Sequence, residues 1–151
     1  MAVDTAMNAL HLLFAALWVG SVLFVTIGIL PFARRGEFNA APLESVVSRL
    51  KTVSRTSVLV LLLTGGHLAG TGYTAETLFG STRGHLVLAM VVLWFVLAAL
   101  VEVGSGKLAR GLEERKVREP AARAWPFFLA ASVVGVLLFV DAALITSPLA
   151  F

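Results

Sequence analysis

Four long apolar stretches limit what this chain can become: roughly Ala9 to Pro31, Ser54 to Gly72, His85 to Gly104 and Trp125 to Thr146, each holding no more than one Asp, Glu, Lys or Arg. The hydrocarbon core of a bilayer is about 30 Å thick and takes about 20 apolar residues per helix, which all four stretches reach or approach. A soluble fold would have to hide all of them, and the polar residues to do so are missing. Of the 151 residues 58% are hydrophobic and 14% charged, against roughly a quarter charged in soluble domains. The expectation is an all-α integral membrane four-helix bundle, one transmembrane domain over residues 1–151, multi-pass in the cell membrane. With no cysteine, disulfides, thiolate metal sites and redox-active thiols are excluded.

Basic residues predict the orientation. Of twelve Lys and Arg, five fall between the first stretch and the opening residues of the second (Arg34, Arg35, Arg49, Lys51, Arg55) and six between the third and fourth (Lys107, Arg110, Arg115, Lys116, Arg118, Arg123), leaving Arg83 alone elsewhere. The positive-inside rule puts both basic segments in the cytoplasm and both termini outside. The pI near 10.0 has the same origin. Acidic residues are interspersed and no aromatic residues are spaced for base stacking, so the partner is the lipid bilayer with its anionic headgroups and not nucleic acid.

Along the chain, the opening Met-Ala-Val-Asp-Thr-Ala-Met-Asn has no positive n-region, so the run after it is expected to stay as the first membrane helix, ending at Pro31 before Arg34-Arg35. Apolar residues at 42, 43, 46, 47, 50 and 53 recur at helical spacing and predict a short amphipathic helix leading into the second span. Residues Tyr73 to Gly84 form an outer loop. Glu102, near the inner end of the third span, is expected to snorkel or to pair with Lys107 or Arg110. The charges around Glu113-Glu114-Arg115-Lys116 predict a solvated helical extension ended by Pro120. Pro126 is expected in the first turn of the last helix, where its missing donor costs nothing.

The chemistry-bearing residues gather on one side. Counting about 1.5 Å per residue from each helix midpoint puts His67 and Asp141 roughly 6 to 8 Å outward of the bilayer centre, and His11 and His85 roughly 13 to 15 Å outward. Ser57, Thr64, His67 and Thr71 share a helix face, and polar groups in a bilayer must find partners inside the bundle. Met7 and His11, at i and i+4, share another face, and thioether with imidazole suits Cu(I). Asp141 is expected either as a second-shell partner of a histidine or as a structural hydrogen-bonder, although it falls on the face opposite Ser132. Three histidines on three helices at one end fit the way bundles assemble metal and cofactor sites. No nucleophile and base arrangement, phosphate loop or carboxylate pair points to catalysis.

His11-Leu-Leu-Phe-Ala-Ala-Leu-Trp18-Val-Gly20-Ser, Ser48-Arg49 and Ser54-Arg55 running into Thr64-Gly65, and Gly80 before a long third helix together resemble CopD-type copper-resistance membrane proteins. The resemblance implies a plasma-membrane protein that handles copper and takes it from an extracytoplasmic carrier. A more distant likeness in layout leads to haem-binding membrane proteins with histidines at related places.

Two functions compete on these residues. Copper held by His11, His67, His85 and Met7, with Thr64 and Asp141 behind them, makes the protein part of copper transport or homeostasis. A b-type haem held by two of the three histidines, with Gly65, Gly66 and Gly70 clearing room and Trp18 or Trp94 lining it, makes it an electron-transfer protein with a redox partner. A structural subunit of a larger complex is the third reading. Four helices leave little room for a path through a monomer, so a homodimer or partner subunit is expected.

Overall fold

The computed structural model describes residues 1–147. Helix α1 (Ala2–Phe24), a π-helical turn (Val25–Ile29) and α2 (Leu30–Arg35) follow one another without a break. Then come α3 (Ala40–Gly72), the short α4 (Ala75–Gly80), α5 (Thr82–Glu113) and α6 (Arg118–Thr146), with no strand among the described residues. The run Ala2–Arg35, α5 and α6 are long and apolar enough to cross a membrane. Helix α3 is as long, at 33 residues, but Ser54, Arg55, Ser57, Thr64, four glycines and His67 dilute its apolar character. The long helices pack in sequence order, α1 on α3, α3 on α5 and α5 on α6, and α6 returns to α1, the π turn and α2. Leu59, Leu62, Leu63, Val92, Phe95 and Val140 point outward, as side chains facing lipid do.

The seam that organises the fold is written into α3. Its buried residues are Leu43, Val47, Leu50, Ser54, Ser57, Leu61 and Thr64, a strict alternation of four and three that keeps one narrow stripe against its neighbours. The amphipathic segment and the second apolar stretch are therefore a single helix. On α1 the shielded positions Asp4, Met7, His11, Phe14, Ala15 and Trp18 form the matching stripe. The two stripes run antiparallel, and polar pairs cross them at intervals of seven residues on α1: Asp4 with His67, His11 with Thr64, and Trp18 with Ser54.

Prolines behave differently from their sequence reading. Pro31 lies inside a continuous helix, in the first turn of α2, directly after the π turn. The wider turn absorbs the backbone donor that proline lacks, and the Thr26 hydroxyl, 2.7 Å from the Val22 carbonyl and accepting from Ser132 at 2.9 Å, ties that turn to α6. The helix ends instead at Gly36, whose φ of 80° is left-handed. Its amide meets the Ala33 carbonyl and the next amide meets that of Phe32, a Schellman closure. Pro126 sits in the interior of α6, not its first turn, because α6 starts at Arg118 and takes Pro120 into that turn. Helix α5 closes in the same Schellman way with Arg115 in the left-handed position, φ 56°. The α5–α6 hairpin is tight because a Cβ on Gly111 would overlap the Pro120 ring.

Two further expectations change. The segment between α3 and α5 is not all loop: Thr74 and Thr77 form a reciprocal cap that starts α4. Gly84 is buried where a Cβ would run into the carbonyls of Thr77 and Leu78, which lets α5 start against α4. Glu102 pairs neither with Lys107 nor with Arg110, but across to α3, with Arg55 Nη2 at 2.6 Å. At half exposure on both sides this pair fixes register more than it stabilises.

Candidate metal site

Thr64 selects which ring nitrogen of a neutral His11 carries the hydrogen. The Thr64 hydroxyl is 2.7 Å from the Val60 carbonyl, one turn back, and 2.8 Å from His11 Nδ1. A hydroxyl has one hydrogen to give. With that hydrogen on Val60, the oxygen accepts from His11 Nδ1–H, and the neutral imidazole keeps its lone pair on Nε2. Gly65 makes the approach possible, since a Cβ there would lie 3.1 Å from His11 Cε1.

His67, one turn further along the same face of α3, is fixed in the opposite sense. Its Nε2 lies 3.1 Å from Asp4 Oδ1. A carboxylate only accepts, so Nε2 carries the hydrogen and the lone pair is on Nδ1. The other Asp4 oxygen is 2.9 Å from the chain's amino nitrogen. A hydroxyl or carboxylate that holds the second nitrogen of a histidine is how proteins orient imidazoles toward a metal. Met7 lies on the shielded stripe of α1 between Asp4 and His11. Its soft thioether and the two oriented imidazoles are a donor set that fits Cu(I).

The remaining sequence-predicted residues have other partners or none. His85 is exposed and donates from Nε2 to the Phe79 carbonyl at 2.8 Å, so it latches α5 to α4. Among the described residues no three His, Asp or Glu side chains come close enough together to hold a metal ion. Asp141 is 7% exposed on α6, and its Oδ2 has no hydrogen-bond partner among the described residues. No hydrogen bond joins it to a histidine there. Ser132 is buried as well, at 8%, because α6 packs against α5 on one side and α1 on the other and so covers opposite faces. Gly66 and Gly70 face open space, and a Cβ on either would meet nothing within 4 Å. Trp18 is 1% exposed and gives its Nε1–H to Ser54 at 2.9 Å. These glycines open no slot between helices, and Trp18 is a core residue of the seam.

Asp4 is the participant that the sequence did not reveal. Its signal was the seven-residue interval to His11, which became readable only with α1 starting at Ala2.

The family model described as copper resistance protein D, CopD, matches residues 44–145. No curated protein and no solved structure matches. The matched segment runs from the first turns of α3 almost to the end of α6, so Thr64, His67, His85 and Asp141 lie within it and Asp4, Met7, His11 and Trp18 precede it. With most of its length matched and its long apolar helices built to cross a bilayer more than once, the chain belongs to the copper resistance protein D family of membrane proteins.

Proposed function

We propose that this protein binds copper, as Cu(I), at the outer end of the α1–α3 seam, with His11 and His67 as nitrogen ligands and Met7 as the sulfur ligand, and that it serves copper transport or homeostasis. The observation that carries this reading is the pair of oppositely oriented imidazoles on facing helices, each held by a polar partner on the other helix. Thr64 and Asp4 orient the ligands. His85, turned to the Phe79 carbonyl, takes no part. Copper is the cargo here, received from an extracytoplasmic carrier. A b-type haem would need a flat space between two histidines, and the close approach of Gly65 to His11 speaks for the smaller ligand. Protein purified from copper-supplemented cells should be colourless and hold copper in a fixed ratio to folded chain. A Soret band that shifts on reduction would replace copper with haem.

The reading includes four membrane spans, α3 among them, with both termini and the Tyr73 to Gly84 segment outside. Eleven of the twelve Lys and Arg fall in the two segments this assigns to the cytoplasm. Single cysteines introduced at Ser81 and at Arg115 should differ in intact cells: an impermeant maleimide should label the first and leave the second unmodified. The reverse pattern would invert the topology and put the seam's polar end inside.

A further inference from the structure

Where α5 turns into α6, a surface pocket of about 390 Å³ is lined by Lys107, Arg110, Glu114, Lys116, Glu119 and Arg123, with Gly111 and Pro120 between them. Four cations and two carboxylates share it, and the carboxylates are already committed. Glu114 Oε2 is 2.7 Å from Lys116 Nζ, and Glu119 Oε1 is 2.7 Å from Arg123 Nη2. The Lys116 hydrogen bond holds the Glu114 carboxyl below the usual carboxylate range, so that pair stays charged. Lys107 and Arg110, one turn apart on α5, meet no carboxylate among the described residues. Lys107 Nζ stands 5.2 Å from the centre of the Phe127 ring, and Arg110 uses Nε on the Gly106 carbonyl at 3.3 Å. Two positioned cations thus face a hollow with no anion of the chain to balance them.

The surroundings show what reaches this pocket. Trp125, with Arg34 packed 4.8 Å from its ring centre, marks the level where indole and guanidinium groups sit at a membrane surface. Below it the outward faces of α5 and α6 are apolar, with Val103, Leu129 and Val133 exposed. An anion held between Lys107 and Arg110 would therefore have hydrocarbon directly beneath it. We infer that this pocket binds the phosphate of an anionic phospholipid, with the acyl chains lying along the apolar surface of α5 and α6. Two-point contact from an ammonium and a guanidinium suits a phosphate diester, and basic pockets between membrane helices hold such headgroups.

The test is lipid retention by the whole protein. Protein stripped of lipid and re-exposed to equal amounts of phosphatidylglycerol and phosphatidylcholine in detergent would be analysed by native mass spectrometry. Each positioned cation is worth about fivefold in preference for an anionic lipid, so wild type should keep phosphatidylglycerol at least that strongly enriched, and the double variant Lys107→Gln, Arg110→Gln should fall to the mixing ratio. Arg49→Gln with Lys51→Gln removes the same charge from α3 and should leave the enrichment unchanged. Equal loss in both double variants would mean diffuse attraction and overturn the site. Inorganic phosphate bound in a Lys107- and Arg110-dependent way, without lipid enrichment, would overturn the lipid as its source.

Discussion

His67→Ala should leave the protein folded and unable to retain copper. In the proposed site the side chain is one of two imidazole ligands, so its loss would remove a metal bond directly. Removing only the group that orients a histidine costs about 10 to 100-fold in metal affinity, which is the effect expected for Asp4→Asn on His67 and Thr64→Val on His11. His67→Ala should exceed that range, His11→Ala should match it in severity, and His85→Ala should keep full occupancy because its ring serves the Phe79 carbonyl. Interhelical hydrogen bonds in membranes average about 0.6 kcal/mol. If His67 were only such a bond, its alanine variant would unfold slightly earlier and bind copper as before. Copper per folded chain, with helical content measured in parallel, separates the two cases.

Trp18→Ala should be the most destabilising single change on the seam. The indole is 1% exposed, is among the largest fully buried side chains, and gives its only hydrogen to Ser54. Membrane helices are held by close packing and not by expulsion of water, so an unfilled void there forfeits the contacts themselves. Loss of a buried tryptophan costs about 3 to 5 kcal/mol in a protein core, and Ser54 would lose its partner as well. Trp18→Phe keeps most of the volume and gives up the hydrogen bond, so it should cost about 1 kcal/mol. Thermal unfolding in detergent reads both, and an alanine variant that melts with the wild type would show that α1 is not packed on α3 as described.

Much of this was legible in the sequence, and the gaps have physical causes. The apolar stretches and the shared face of Ser57, Thr64 and His67 follow directly from helical periodicity, and on α3 that period continued through the amphipathic segment to give one helix. Pro31 and Pro126 misled because proline limits a helix only where the chain cannot supply a compensating turn, and the π turn ahead of Pro31 does so. Counting along the helices gives only an expected depth for each histidine. Depth says nothing about direction around the helix axis, which is why His85 could be grouped with His11 and His67 although it faces α4. Glu102 found Arg55 on another helix instead of a sequence neighbour, since pairing across α3 and α5 depends on register. Asp141 stands out in the sequence as an acid deep in the apolar run, and its Oδ2 is buried with no hydrogen bond to a histidine among the described residues.

The proposed site holds one cuprous ion across α1 and α3 by two imidazoles and a thioether. X-ray absorption at the copper edge on the loaded protein tests it most directly. Two imidazoles and one sulfur should scatter, with the sulfur absent in Met7→Leu and no copper left to scatter in His11→Ala. A spectrum unchanged by both substitutions would contradict it.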